Sequence, residues 1–149
     1  MATEQQIKIR RADEQDLAAV LAIEQVSFNT AWTHDFFKHE LYNPISNFYV
    51  VEKNHQILGY VIFWLIADEM HIANLAIHPQ FRQVGLGSKL LNFVLDMGRQ
   101  KQIKTITLEV NEKNLPARAL YEKMQFRVVG RRVKYYENRD DALLLMRYL

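Results

Sequence analysis

Two glycines one residue apart, Gly85 and Gly87, stand between a strand-like run and a helix-like run, and that placement constrains the chain more than any other feature. Upstream, Ile72, Ala73, Asn74, Leu75, Ala76 and Ile77 form an apolar stretch closed by His78-Pro79, where proline cannot continue a β-ladder. Downstream, Leu90, Leu91, Val94, Leu95 and Met97 carry the spacing of an amphipathic helix over residues 88–97. The glycines therefore mark the point where a loop becomes a helix. The first N–H groups of a helix have no intrahelical partner, and the helix dipole places partial positive charge there. Without Cβ atoms at Gly85 and Gly87, a bulky anion can approach the amides of Gln83, Val84, Gly85, Leu86, Gly87 and Ser88, which predicts a diphosphate cradle.

A plain glycine turn before a helix remains the alternative for this segment taken alone. Two phosphate loops can be tested against it. A Walker loop needs Gly-x-x-x-x-Gly-Lys-Ser/Thr, and Gly85-Leu86-Gly87-Ser88-Lys89 has Ser and Lys in the wrong order after the wrong spacing. A dinucleotide fingerprint would place its third small residue at Leu90, too large for close helix–strand packing, although Glu109 lies at a fitting distance for a ribose-binding acid.

The chain of 149 residues fits one domain, 1–149, and at that size roughly 68–70% of the unfolded surface can be buried. It has no cysteine, which excludes a disulfide framework and a zinc–thiolate site and suits a reducing compartment. The start, Met1-Ala2-Thr3-Glu4-Gln5-Gln6, has no apolar signal core, and no apolar run is long enough for a membrane span, so a cytoplasmic location without membrane contact is expected. A net charge of +2 is too mild to argue for a nucleic-acid partner. The histidines have no ligand spacing, His34 and His39 not sharing a helix face, so no metal site is expected.

In chain order, Ile7 and Ile9 alternate with Lys8 and Arg10 as in a half-buried strand. Asp13 caps a helix running to about residue 25, with Leu17, Val20, Leu21 and Val26 as its apolar positions. Thr33 caps a second helix after a break that contains Phe28 and Trp32. Those two aromatics either plug the core beneath the helices or line a substrate groove. Residues 48–53 and 57–66 read as a β-hairpin turning at Asn54-His55, its second arm apolar enough to be central. A strand at 70–78 precedes the glycine turn, and a strand at 104–110 follows the helix, so these two are expected to be parallel. Asn114 caps a short helix with Pro116 in its first turn, and two terminal strands, 126–134 and 142–149, are joined through a connection that includes Tyr135 and Tyr136.

Arg82-x-x-Gly85-x-Gly87, then Glu109, then Asn114-x-x-Ala117-x-x-Leu120-Tyr121-x-x-Met124-x-Phe126 resembles the GNAT superfamily of N-acetyltransferases over nearly the whole chain. Leu108-Glu109-Val110, Ala119-Leu120-Tyr121-Glu122 and Arg131-Arg132-x-x-Tyr135-Tyr136 followed by Asp141-Ala142-Leu143 look most like its bacterial ribosomal-protein alanine N-acetyltransferases. The resemblance implies an α/β (α+β) fold, a mixed twisted sheet of about seven strands with four helices ordered strand, two helices, three strands, helix, strand, helix, two strands. It implies acetyl-CoA as co-substrate, with its pantetheine arm paired to the backbone of Leu75, Ala76 and Ile77 like an added strand. Asn114 would reach that arm while also capping its helix.

The resemblance also assigns the chemistry. An α-amine with a pKa near 7.7–8.0 is partly protonated at neutral pH and must lose its proton before attack on a thioester. Glu109 matches the general base of the family, and Tyr121 its general acid, a phenol that stays protonated at pH 7 and can donate to the departing thiolate. Phe28, Trp32, Tyr135 and Tyr136 fall in the two loops that would line the acceptor side, with plain packing as the alternative. The expected acceptor is a protein N-terminus, that of a small-subunit ribosomal protein foremost. A lysine side chain, a small amine, or CoA binding without turnover stay open.

Overall fold

The computed structural model describes residues 6–82 and 84–149. In chain order its elements are β1 (Lys8–Arg11), α1 (Leu17–Ser27), α2 (His34–Tyr42), β2 (Ser46–Lys53), β3 (Gln56–Ile66), β4 (Glu69–Ile77), α3 (Leu86–Gln100), β5 (Thr105–Asn111), α4 (Leu115–Lys123), β6 (Arg127–Tyr136) and β7 (Asp140–Tyr148). One mixed seven-stranded sheet runs β1-β2-β3-β4-β5-β7-β6. The expected strand and helix succession is the observed one.

Local chemistry sets the boundaries. Asp13 closes a capping box on a 3₁₀ turn, Glu14–Asp16, so the α-helix proper starts only at Leu17. Thr33 Oγ1 accepts from Phe36 N–H at 3.2 Å and starts α2. Asn54 and His55 take left-handed φ values of 51° and 65°, which lets two residues turn β2 into β3. One expectation needs correction: Tyr135 and Tyr136 close β6 instead of lying in the connection, which shrinks to residues 137–139. Lys134 adopts φ 53°, the register breaks between Arg132 and Tyr136, and pairing resumes at Tyr136↔Asp140.

Helices cover both faces of the sheet. Against α3 and α4 lies a core that includes Val61, Phe63, Leu90, Leu91, Val94 and Leu108. Leu90, Leu91 and Val94 are wholly buried, each worth ~1.5–3 kcal/mol relative to exposure. Against α1 and α2, Leu17, Val20, Phe37, Val50, Tyr60 and Ile62 form a second core.

The sheet is incomplete in its middle. β4 and β5 are parallel as expected, but pair only from Glu69↔Thr105 to Ile72↔Leu108. Beyond that rung β4 stays paired with β3 as far as Gly59↔Ile77, and β5 with β7 as far as Asn111↔Ala142. The parting begins where β4 carries one surplus residue, Ala73, between Ile72 (opposite Phe63) and Asn74 (opposite Ile62). A bulge bends its strand and adds twist, which turns the end of β4 away from β5.

Candidate active site

At the mouth of this wedge, Gly85 is the N-cap of α3 with φ 87° and supplies no side-chain cap. The helix ladder starts with Lys89 N–H donating to Gly85 O at 3.0 Å. The N–H groups of Leu86, Gly87 and Ser88 therefore precede the ladder and, among the described residues, have no backbone acceptor, the disposition an anion site requires. A Cβ on Gly85 would meet nothing within 4 Å, so glycine is required there for its backbone angle. A Cβ on Gly87 would lie 3.1 Å from Leu120 Cδ2, so that glycine also permits α4 to pack closely on α3. Val84 is exposed beside them. Gln83, expected to share in the cradle, lies outside the described residues.

Leu75, Ala76 and Ile77 are held by β3 on one side and face the wedge on the other. Their free edge suits an extended amide-bearing chain such as pantetheine. Arg82 braces the turn, its Nε donating to Ile77 O at 2.9 Å and Nη2 to Ser27 Oγ at 2.9 Å. Asn114 caps α4, its side chain accepting from Ala117 N–H at 3.3 Å.

Glu109 sits on β5 just past the last β4–β5 rung. Its Oε2 is buried without a hydrogen-bond partner among the described residues, although Arg132 Nε lies 3.4 Å away. Tyr121 is 7% exposed, with its ring edge-on to Phe126. Burial, and secondarily the neighbouring Tyr136 phenol, pushes its phenol up, so it is fully protonated at neutral pH. The Tyr136 phenol is pushed up to about 12 by burial first, then by Glu109 and Tyr135. Tyr136 thus stands within electrostatic reach of both Glu109 and Tyr121.

His71, opposite Thr107 one rung before the parting, shares a 2.9 Å hydrogen bond with Thr107 Oγ1 and stacks on Trp64. Burial lowers its pKa, against the pull of Glu109, so the ring is neutral at pH 7.

On the side facing α1 and α2, Phe28 and Trp32 are half-buried and pack against the second core, Trp32 on Phe36 and Phe37. Their loop meets the β6–β7 hairpin, where Thr30 Oγ1 donates to Glu137 Oε1 at 3.4 Å. Tyr135 is 52% exposed, edge-on to Tyr136 and under the Arg132 guanidinium. Among the described residues no group of three His, Asp or Glu side chains comes together as a metal site. No described helix is long and apolar enough to cross a membrane.

Residues 17–126 match the acetyltransferase (GNAT) family. The chain belongs to the GNAT acetyltransferase family. It is accordingly an acetyl-CoA-dependent N-acetyltransferase, and the cradle and open strand edge fit that co-substrate. This GNAT enzyme is 36% identical over 139 residues to a Bacillus subtilis (strain 168) protein, covering 92% of each chain. It is 33% identical over 138 residues to the [ribosomal protein bS18]-alanine N-acetyltransferase of Haemophilus influenzae, covering 90% of this chain and 93% of the other. The crystal structure of the ribosomal-protein-S18-alanine N-acetyltransferase from Escherichia coli superposes with a TM-score of 0.89 at 27% identity, over 96% of this chain and 94% of that one.

Sequence reading missed three features of the GNAT site. The bulge at Ala73 has no signature inside an apolar run. Arg132 enters the sequence reading only as part of the Arg131-Arg132-x-x-Tyr135-Tyr136 motif, although it stands against Glu109. Glu24, 1% exposed, accepts hydrogen bonds from Tyr60, Asn74 and the Trp32 backbone. Its signal was a charged residue placed one turn after Val20 and Leu21, and two after Leu17, on the apolar stripe of α1.

Proposed function

We propose that this enzyme acetylates the N-terminal α-amine of a protein, foremost a small-subunit ribosomal protein that begins with alanine. The observation that carries the reading is Glu109, whose buried Oε2 has an unused lone pair just beyond the last β4–β5 rung. The names of the Haemophilus influenzae and Escherichia coli relatives, which are ribosomal protein bS18-alanine N-acetyltransferases, support the acceptor.

Acetyl-CoA supplies the thioester carbonyl and a thiolate leaving group. Val84 to Ser88 hold the diphosphate by their amides, and the backbone of Leu75, Ala76 and Ile77 aligns the pantetheine arm. Asn114 stands near that arm as well as capping α4. Glu109 takes a proton from the incoming ammonium, directly or through one water, leaving the neutral amine to attack. Tyr121 donates its proton to the departing thiolate, and the proton that the amide nitrogen sheds as the intermediate collapses restores the phenol. Phe28, Trp32, Tyr135 and Tyr136 form the acceptor wall.

Mass spectrometry of peptides incubated with acetyl-CoA tests this. Acetylation of the ribosomal alanine N-terminus, with an Nα-blocked lysine peptide and small amines left unmodified, is expected. Modification of lysine or of a small amine alone overturns the acceptor, and acetyl-CoA binding without any CoA release overturns catalysis.

A further inference from the structure

Glu24 is a buried carboxyl that the proposed chemistry does not use. Three donors from three separate elements converge on it: Trp32 N–H at 2.9 Å from the α1–α2 loop, Asn74 Nδ2 at 2.7 Å from β4, and the Tyr60 hydroxyl from β3. Among the described residues no cation lies within ion-pair distance of it. Its carboxyl is thus an acceptor-only hub, and an unmade bond to any of these buried donors is costly.

The three partners do not depend on Glu24 equally. Asn74 is fixed by its rung with Ile62, and Tyr60 by its rungs with Val50 and Ala76. Trp32 lies outside regular structure, between the end of α1 and the start of α2. Its ring packs on Phe36 and Phe37, but its backbone is tied to the sheet layer through Glu24.

We propose that Glu24 is a positioning residue for the acceptor: by holding the Trp32 backbone against β3 and β4, it sets the distance between the loop carrying Phe28 and Trp32 and the end of β4. This rests on the reading that the acceptor amine enters beside that loop. Glu24 itself, at 1% exposure, touches neither substrate.

The test uses the whole chain and two variants. Glu24→Ala leaves room for water to satisfy the three donors but cuts the link. Glu24→Gln keeps an oxygen for Trp32 N–H and turns its amide toward Tyr60 and Asn74, whose hydroxyl and carboxamide can accept. Glu24→Ala is expected to raise the acceptor KM ~10-fold and to speed amide exchange at Trp32 ~10-fold, the worth of one buried hydrogen bond. Acetyl-CoA affinity should stay within about twofold, because the β3 ladder still fixes β4, and Glu24→Gln should restore both readouts to within about threefold. A lowered melting temperature with unchanged acceptor KM would reduce Glu24 to a structural role and overturn the proposal. Should Glu24→Ala not fold, wild-type exchange decides: Trp32 protected at least ~10-fold beyond the exposed Thr30 amide supports the link, and equal exchange overturns it. A wild type that acetylates only lysine or small amines overturns the acceptor reading alone, since the KM comparison then uses that amine and the exchange comparison needs no acceptor.

Discussion

Ile72 and Leu108 form the last rung between β4 and β5, and immediately past it Ala73 stands as an unmatched residue opposite β3. The two strands keep their outer partners while losing each other. The opening is therefore made by backbone register, and side chains only furnish it.

Tyr121→Phe should lower turnover by roughly 10²-fold or more while leaving acetyl-CoA affinity within about twofold, the usual worth of general acid catalysis. The ring still packs on Phe126, so the melting temperature should hardly move. Steady-state rates with calorimetric acetyl-CoA binding check both halves, and unchanged turnover would remove Tyr121 from the mechanism.

Glu109→Gln keeps the shape of the side chain and removes its basicity. At pH 7 the rate should fall by ~10²-fold or more. The variant must wait for solvent to deprotonate the amine, so its rate should climb steeply up to about pH 8 and level above, following a free α-amine. A profile parallel to that of the wild type would exclude Glu109 as the base.

Gly85→Ala and Gly87→Val probe the cradle in different ways. The first meets open space but must hold an L residue at φ 87°, a strain of about 1 kcal/mol. The second presses on Leu120, so it should lower the melting temperature as well as acetyl-CoA affinity. Titration calorimetry showing full affinity in both variants would contradict the diphosphate site.

Away from the wedge, Arg10 ties β1 to the start of α1 and to β2, its guanidinium bonded to Asp16 and Glu52. Burial pushes the Asp16 carboxyl up, but Arg10 and the Asp13 N–H outweigh it and hold it below its usual range. Arg10 likewise lowers Glu52. A carboxyl depressed by folding gives stability that is present above its unfolded pKa and lost as pH falls through the folded one. The stability gap between wild type and Arg10→Met should thus be full at pH 7 and shrink below about pH 4. Urea unfolding across that range measures it, and a gap independent of pH would refute the ion-pair account.

The residues disclosed much of this in advance. Pro79, Gly85 and the stripe Leu90, Leu91, Val94 gave the strand–turn–helix, and Asn114 with Pro116 gave the start of α4, because caps and breakers act within a few residues. The extent of the wedge was not legible, since Ala73 becomes surplus only through pairing with β3. Neither was the packing reason for Gly87, which depends on Leu120 from another helix, nor the strand ending of Tyr135 and Tyr136, which follows a positive φ at Lys134 that lysine does not advertise.

Arg82 donating to the Ile77 carbonyl joins the turn before α3, the proposed diphosphate cradle, to the strand edge that faces the wedge. On the proposed reading, donor recognition is concentrated in main-chain atoms of one continuous segment, whereas the far wall is furnished by aromatic and charged groups from elements distant in sequence. Exchanging those outer groups would retarget the enzyme to other amines without rebuilding the grip on its thioester.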